Sequence, residues 1–188
     1  MGPLRFRARF AAVIVAGGAA LTLGAVPALA TTHAKAVPET AYGAVSGRAA
    51  AADVTVIPLT WRGLVNTHSV FTSGSNDATP RRGQTYDFAT SAGNFWVVIT
   101  ANPRQSQTSN LRTCQQTFTL NVPFAATDRS TGQFEGTTGN GNVRFFSSGY
   151  GPRYTSGPKA GQCNTSPNAP ELSKGAIATF LLSATLRR

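Results

Sequence analysis

The sequence predicts an all-β domain, an antiparallel barrel of eight strands with a β-sandwich as the alternative, preceded by an export signal. Three observations carry this expectation. From Asp53 onward the chain consists of short runs rich in Val, Thr, Phe and Ile, separated by Gly, Asn, Ser and Pro clusters. The mature region contains no amphipathic helical stretch of useful length. The clearest segment, Thr117 to Phe124, alternates strictly, with Phe118, Leu120, Val122 and Phe124 on one side. Closure into a barrel is preferred because it removes the exposed strand edges that a sandwich must protect.

The N-terminus comes first in order. Arg5, Arg7 and Arg9 precede an uncharged, mostly apolar run from Phe10 to Val26, and Pro27-Ala28-Leu29-Ala30 supplies a helix stop and an A-x-A cleavage site. Residues 1–30 therefore read as a secretory signal peptide, with a second site at Ala34-Lys35-Ala36, so cleavage follows Ala30 or Ala36. Residues 31–52, rich in Ala, Thr, Gly and Val without a clean period, read as a flexible leader, and 53–188 as the barrel domain. Removal of residues 1–30 leaves 14 basic against 7 acidic residues. The surplus suits anionic partners such as cell-surface polymers, although its scatter along the chain fits simple solubility as well, and no nucleic acid is expected.

Within the domain, Val54 to Ile57 opens a strand that Leu59–Arg62 and Leu64–Thr72 continue around Gly63. Ser73–Gly83 reads as a loop, Thr85–Thr90 and Phe95–Ala101 as strands, and Asn102–Thr113 as a polar loop. After Thr117–Phe124, Gln133–Thr137 and Val143–Ser147 read as strands joined by a tight hairpin at Gly139-Asn140-Gly141. A long loop, Gly149 to Lys174, leads to a last strand, Gly175–Leu186, with Ala178, Phe180 and Leu182 on one face. Two cysteines, Cys114 and Cys163, are expected to form one disulfide in an exported chain.

The segment Thr131-Gly132-Gln133-Phe134-Glu135-Gly136-Thr137-Thr138-Gly139-Asn140-Gly141 resembles the TG-x-F-x-G-x-x-G hairpin of secreted dirigent and allene-oxide-cyclase-like β-barrel proteins. The resemblance implies an eight-stranded antiparallel barrel with a mainly apolar interior, often oligomeric. It also implies a place among proteins that catalyse or guide ring closure and radical coupling. It carries over no catalytic residue, and the Cys114–Cys163 pair and the long loop around Cys163 are not part of that pattern.

Chemistry-bearing residues are sparse. His68 is the one histidine of the domain and the natural general base near neutral pH, but no nucleophile motif accompanies it. Asp87 and Glu135 fall in expected strands and form the only carboxylate pair considered for a shared cavity; ion pairs with the abundant arginines are the plainer assignment. No metal set and no cofactor motif is present: the glycines at 136, 139 and 141 are turn residues, not a dinucleotide cradle. Expected ligand contacts are Phe118, Leu120, Val122 and Phe124 inside the barrel and Tyr150, Arg153 and Tyr154 on the loop that the disulfide pins. The sequence thus favours a secreted, non-enzymatic barrel holding a small apolar or mixed ligand, or a glycan. A dirigent-like or cyclase-type enzyme and a basic wall-binding protein are the alternatives, and a homo-oligomer is compatible with all three.

Overall fold

The computed structural model describes residues 35–51, 54–74, 79–164 and 172–188. The expected signal peptide, with the cleavage site after Ala30, lies outside the described residues. Nine strands follow one another: β1 (Val37–Ser46), β2 (Val54–Arg62), β3 (His68–Gly74), β4 (Thr85–Thr90), β5 (Gly93–Ile99), β6 (Arg104–Asn110), β7 (Gln115–Ala126), β8 (Thr138–Tyr150) and β9 (Leu172–Arg187). All pairings are antiparallel. Eight strands form a ring in the order β5-β4-β3-β2-β1-β9-β8-β7, closed by β5 against β7; β6 is extra, attached to the outer end of β7. The expected eight-stranded antiparallel barrel is therefore present, with one extra strand, and the sandwich alternative is not.

The leader expected over residues 31–52 is corrected, because residues 37–46 form β1, a full barrel strand paired with β9 from Val37↔Leu186 to Ser46↔Ile177. Its fully buried positions are Glu39, Ala41 and Gly43, a charged residue and two small ones between the half-buried Val37 and Val45, which hides the period-two signal. Small residues are required there. A Cβ on Gly43 would lie 2.1 Å from the carbonyl oxygen of Pro58, so only glycine admits the close approach of β2.

Two further expectations fail for the same kind of reason. Gly139-Asn140-Gly141 is not a hairpin but the start of β8. A Cβ on Gly139 would sit 2.1 Å from Thr185 O, and one on Gly141 2.5 Å from Phe124 Cζ, so these glycines serve close strand approach rather than a turn. Gln133–Thr137 is not a strand; Gly132–Phe134 is a 3₁₀ turn that drives Phe134 into the core. The segment behind the dirigent resemblance is thus a turn and a strand start, although the fold that the resemblance implies is present. The polar loop expected at 102–113 contains β6, whose seven residues are all exposed and so leave no apolar period to read.

The barrel interior differs at its two ends. At one end Trp61 is wholly buried, meets Phe88, Phe95 and Phe134 edge-on with centroids 5.5–5.7 Å away, and donates its indole N–H to Ser69 Oγ at 2.8 Å. The β7–β8 connection seals this end: Thr131 N–H donates to Asn94 O and Gln133 N–H to Ala92 O, at 2.9 and 2.8 Å. Among the described residues the other end has no such plug. There the wall is also loosest, since β3 and β4 share a single register pair, Ser69↔Thr90, and β5 meets β7 through three.

Candidate functional site

The loose seam between β3 and β4 opens on an apolar recess. Its floor is Phe88, Val97, Ile99 and Phe124; its walls are Phe71, Phe118, Leu120, Val122, Val143 and Phe145. Its cavity volume is about 40 Å³, and the recess is open to solvent on one side. These residues meet because cross-strand partners share a face: Leu120 stands opposite Phe145 and Gln105, and Val122 opposite Val143. Aromatic contacts run on from the wall into the core, with Phe71 4.5 Å from Phe180 and 5.8 Å from Phe145 between centroids.

Polar groups gather toward the mouth: Ser73, Thr79, Tyr86 and Gln105. The Tyr86 hydroxyl donates to Gln84 Oε1 at 2.7 Å, and the same oxygen accepts from the Arg81 backbone N–H at 2.7 Å, which fixes the rim. Burial pushes the Tyr86 phenol above its usual range, so it stays a neutral hydrogen-bonding group across the physiological pH range. Such a recess accepts an apolar body and satisfies few polar atoms near its entrance.

Of the expected ligand contacts, the structure gathers Phe118, Leu120, Val122 and Phe124 in this recess. Tyr150, Arg153 and Tyr154 are not among its lining residues and belong to a separate assembly. The Cys114–Cys163 disulfide is present and ties the β6–β7 turn to the loop after β8. Arg153 locks the same junction by donating to the carbonyls of Gly161 and Arg112, so its guanidinium is engaged in structure. Tyr154 exchanges backbone hydrogen bonds with Gln162 and Gly161, and Lys159 Nζ lies 5.7 Å from its ring centre.

The candidate catalytic residues are not brought together. His68 begins β3 and is exposed. Asp87 lies between Tyr86 and Phe88 and so points to the outer face of β4. Glu135 is exposed beyond the 3₁₀ turn at the sealed end. None of the three lines the recess. Among the described residues, no three His, Cys, Asp or Glu side chains cluster as a metal would need.

The titratable group that sequence reasoning missed is Glu39. It is completely buried on the inner face of β1 at the sealed end, where Oε2 accepts from Val65 N–H at 3.0 Å and Oε1 has no partner among the described residues. Desolvation raises its pKa from 4.5 to about 7, against the lowering effect of the backbone N–H groups of Val65 and Leu64. A glutamate in a segment that reads as a leader gave no signal of burial.

Fold and recess together define a class: a small disulfide-bonded β-barrel, plugged by aromatics at one end and, among the described residues, carrying an apolar recess toward the other. No protein-family model, curated protein or solved structure matches the chain.

Proposed function

We propose that this chain is a secreted, non-enzymatic carrier or receptor barrel that holds one small molecule, apolar in its body and polar at one end, in the recess between Phe71 and Phe124. The observation behind this reading is the contrast between the two ends. Trp61, Phe95 and Phe134 fill one half of the interior, whereas among the described residues a similarly apolar set of side chains in the other half lines a recess. Apolar surface left uncovered in this way is costly, and an apolar occupant recovers that cost. The disulfide fits an oxidising compartment and hence export.

The test is binding of a neutral naphthylamine fluorophore, followed by its emission. Leu120→Trp, which fills the recess from its wall, should abolish the enhancement, while Glu135→Ala at the sealed end should leave it intact. Equal enhancement in the wild type and Leu120→Trp would refute the assignment. Native mass spectrometry of protein from culture medium then reports any molecule it retains.

A further inference from the structure

The outer surface carries a second apolar feature, independent of the recess. Large hydrophobic side chains exposed among the described residues are Tyr42, Val54, Val56, Val70, Leu111, Ile177 and Leu181. All but Leu111 belong to four adjacent strands, β3-β2-β1-β9. The register brings them together: Tyr42 of β1 is opposite Leu181 of β9, Val70 of β3 is opposite Pro58 of β2, and Ile177 is opposite Ser46. The outward positions between them are Thr40, Ala44, Thr60, Thr72, Thr179 and Ser183, none of them charged.

Among the described residues, charge appears at the border of this face, and there it is basic. Arg62 ends β2, Arg187 ends β9, and Arg144 of β8 stands directly opposite Leu181; all three are exposed. The described carboxylates lie elsewhere: Glu39 is inside the barrel, Asp87 is on β4, and Asp128 and Glu135 are in the β7–β8 connection. A convex barrel touches a plane along a strip, here β1 and β9. Arg62 and Arg144 flank that strip on either side, where the wall curves away.

We propose that the outer face of β3, β2, β1 and β9 docks on an anionic lipid surface, with Tyr42, Ile177 and Leu181 entering the headgroup–acyl boundary and Arg62, Arg144 and Arg187 holding lipid phosphates around them. Interfacial binding combines buried apolar area with attraction of basic side chains to anionic lipid, and this face supplies both in the order a membrane presents them. A second copy of the chain fits less well. A two-fold contact through this face would set the arginine border against itself, and among the described residues the face carries no carboxylate to answer it. A polyanion would find its charges met only at the edge of an apolar centre.

Co-sedimentation of the full chain with vesicles tests this. Vesicles of phosphatidylcholine with about one-third phosphatidylglycerol should bind it, and pure phosphatidylcholine vesicles far less. Arg62→Gln and Arg144→Gln should each weaken binding about fivefold. Leu181→Ser and Tyr42→Ser should weaken it without moving the unfolding midpoint, because both side chains point outward. None of these substitutions touches residues 10–26, so their effects report on this face alone. No binding to the anionic vesicles, equal binding to both vesicle types, or binding indifferent to all four substitutions overturns the proposal. So does a dimer in sedimentation velocity that Leu181→Ser dissolves, which assigns the face to a second copy.

Discussion

Replacing Glu39 with glutamine should flatten the dependence of stability on pH between 4.5 and 7. Glu39 titrates near 4.5 when the chain is unfolded and near 7 when its carboxyl is enclosed by β1 and the Gly63–Thr67 turn. In that interval the folded protein holds a proton that the unfolded chain has released, so stability falls as pH rises. The contribution is present in full below pH 4.5, diminishes through the interval, and is gone once pH passes 7. The separation of the two pKa values corresponds to at most about 3 kcal/mol. That is a substantial part of the 5–15 kcal/mol or so that holds a typical domain together. Glutamine keeps a carbonyl oxygen for the Val65 N–H but never ionises. Urea unfolding at pH steps from 4 to 8 reads the effect. The wild type should lose stability across the interval, and Glu39→Gln should follow a shallower line, crossing above it near neutrality if its amide is accommodated. An undiminished slope in Glu39→Gln, or a wild-type curve without one, refutes the assignment of this proton to Glu39.

Two other perturbations follow from the packing. Phe134→Ala removes the plug beneath Trp61 and should cost about 3–5 kcal/mol in urea unfolding, with a red shift of tryptophan emission as water reaches the indole. Cys114→Ser with Cys163→Ser releases a crosslink spanning 49 residues and should cost about 4 kcal/mol, seen in the same assay and as new protease cleavage near Arg153.

The fold was legible wherever one face of a strand is buried and the other is wet. Phe118 to Phe124 and Ala176 to Leu186 alternate, and they became β7 and β9. It was illegible where inward positions are not greasy. At its centre β1 buries a glutamate, an alanine and a glycine, and β6 buries neither face. Glycine was misread for a different reason. At 139 and 141 it answers a neighbouring backbone that passes too close for a Cβ, a contact between residues about 45 apart that no local pattern records. For the site, half was visible: the alternating aromatics of β7 named one wall of the recess, but Phe71, Val143 and Phe145 reach it through register alone. The loop tyrosines and Arg153 stood out by composition, yet the carbonyls of Arg112 and Gly161 claim that arginine.

The recess itself follows from unequal strand lengths. β9 has 16 residues and β8 has 13, whereas β4 has 6 and β5 has 7. At about 3.3 Å per residue the long side of the barrel reaches roughly 50 Å and the short side roughly 20 Å. Both sides share the sealed end, where Thr90 pairs with Gly93, Gly93 lies against Thr131 and Leu186 pairs with Gly139, so the excess projects at the other. Above the rim of β4 and β5, the inward residues of β7 and β8 face β3 across the interior, as Phe145 does Phe71 at 5.8 Å between centroids. β6 widens that overhang instead of closing it, because it continues the line of β5 after residues 100–103 and pairs only with the upper part of β7. Phe118 and Leu120 therefore line the recess as a consequence of topology, while Phe145 packs against Phe71 and Phe118 behind them.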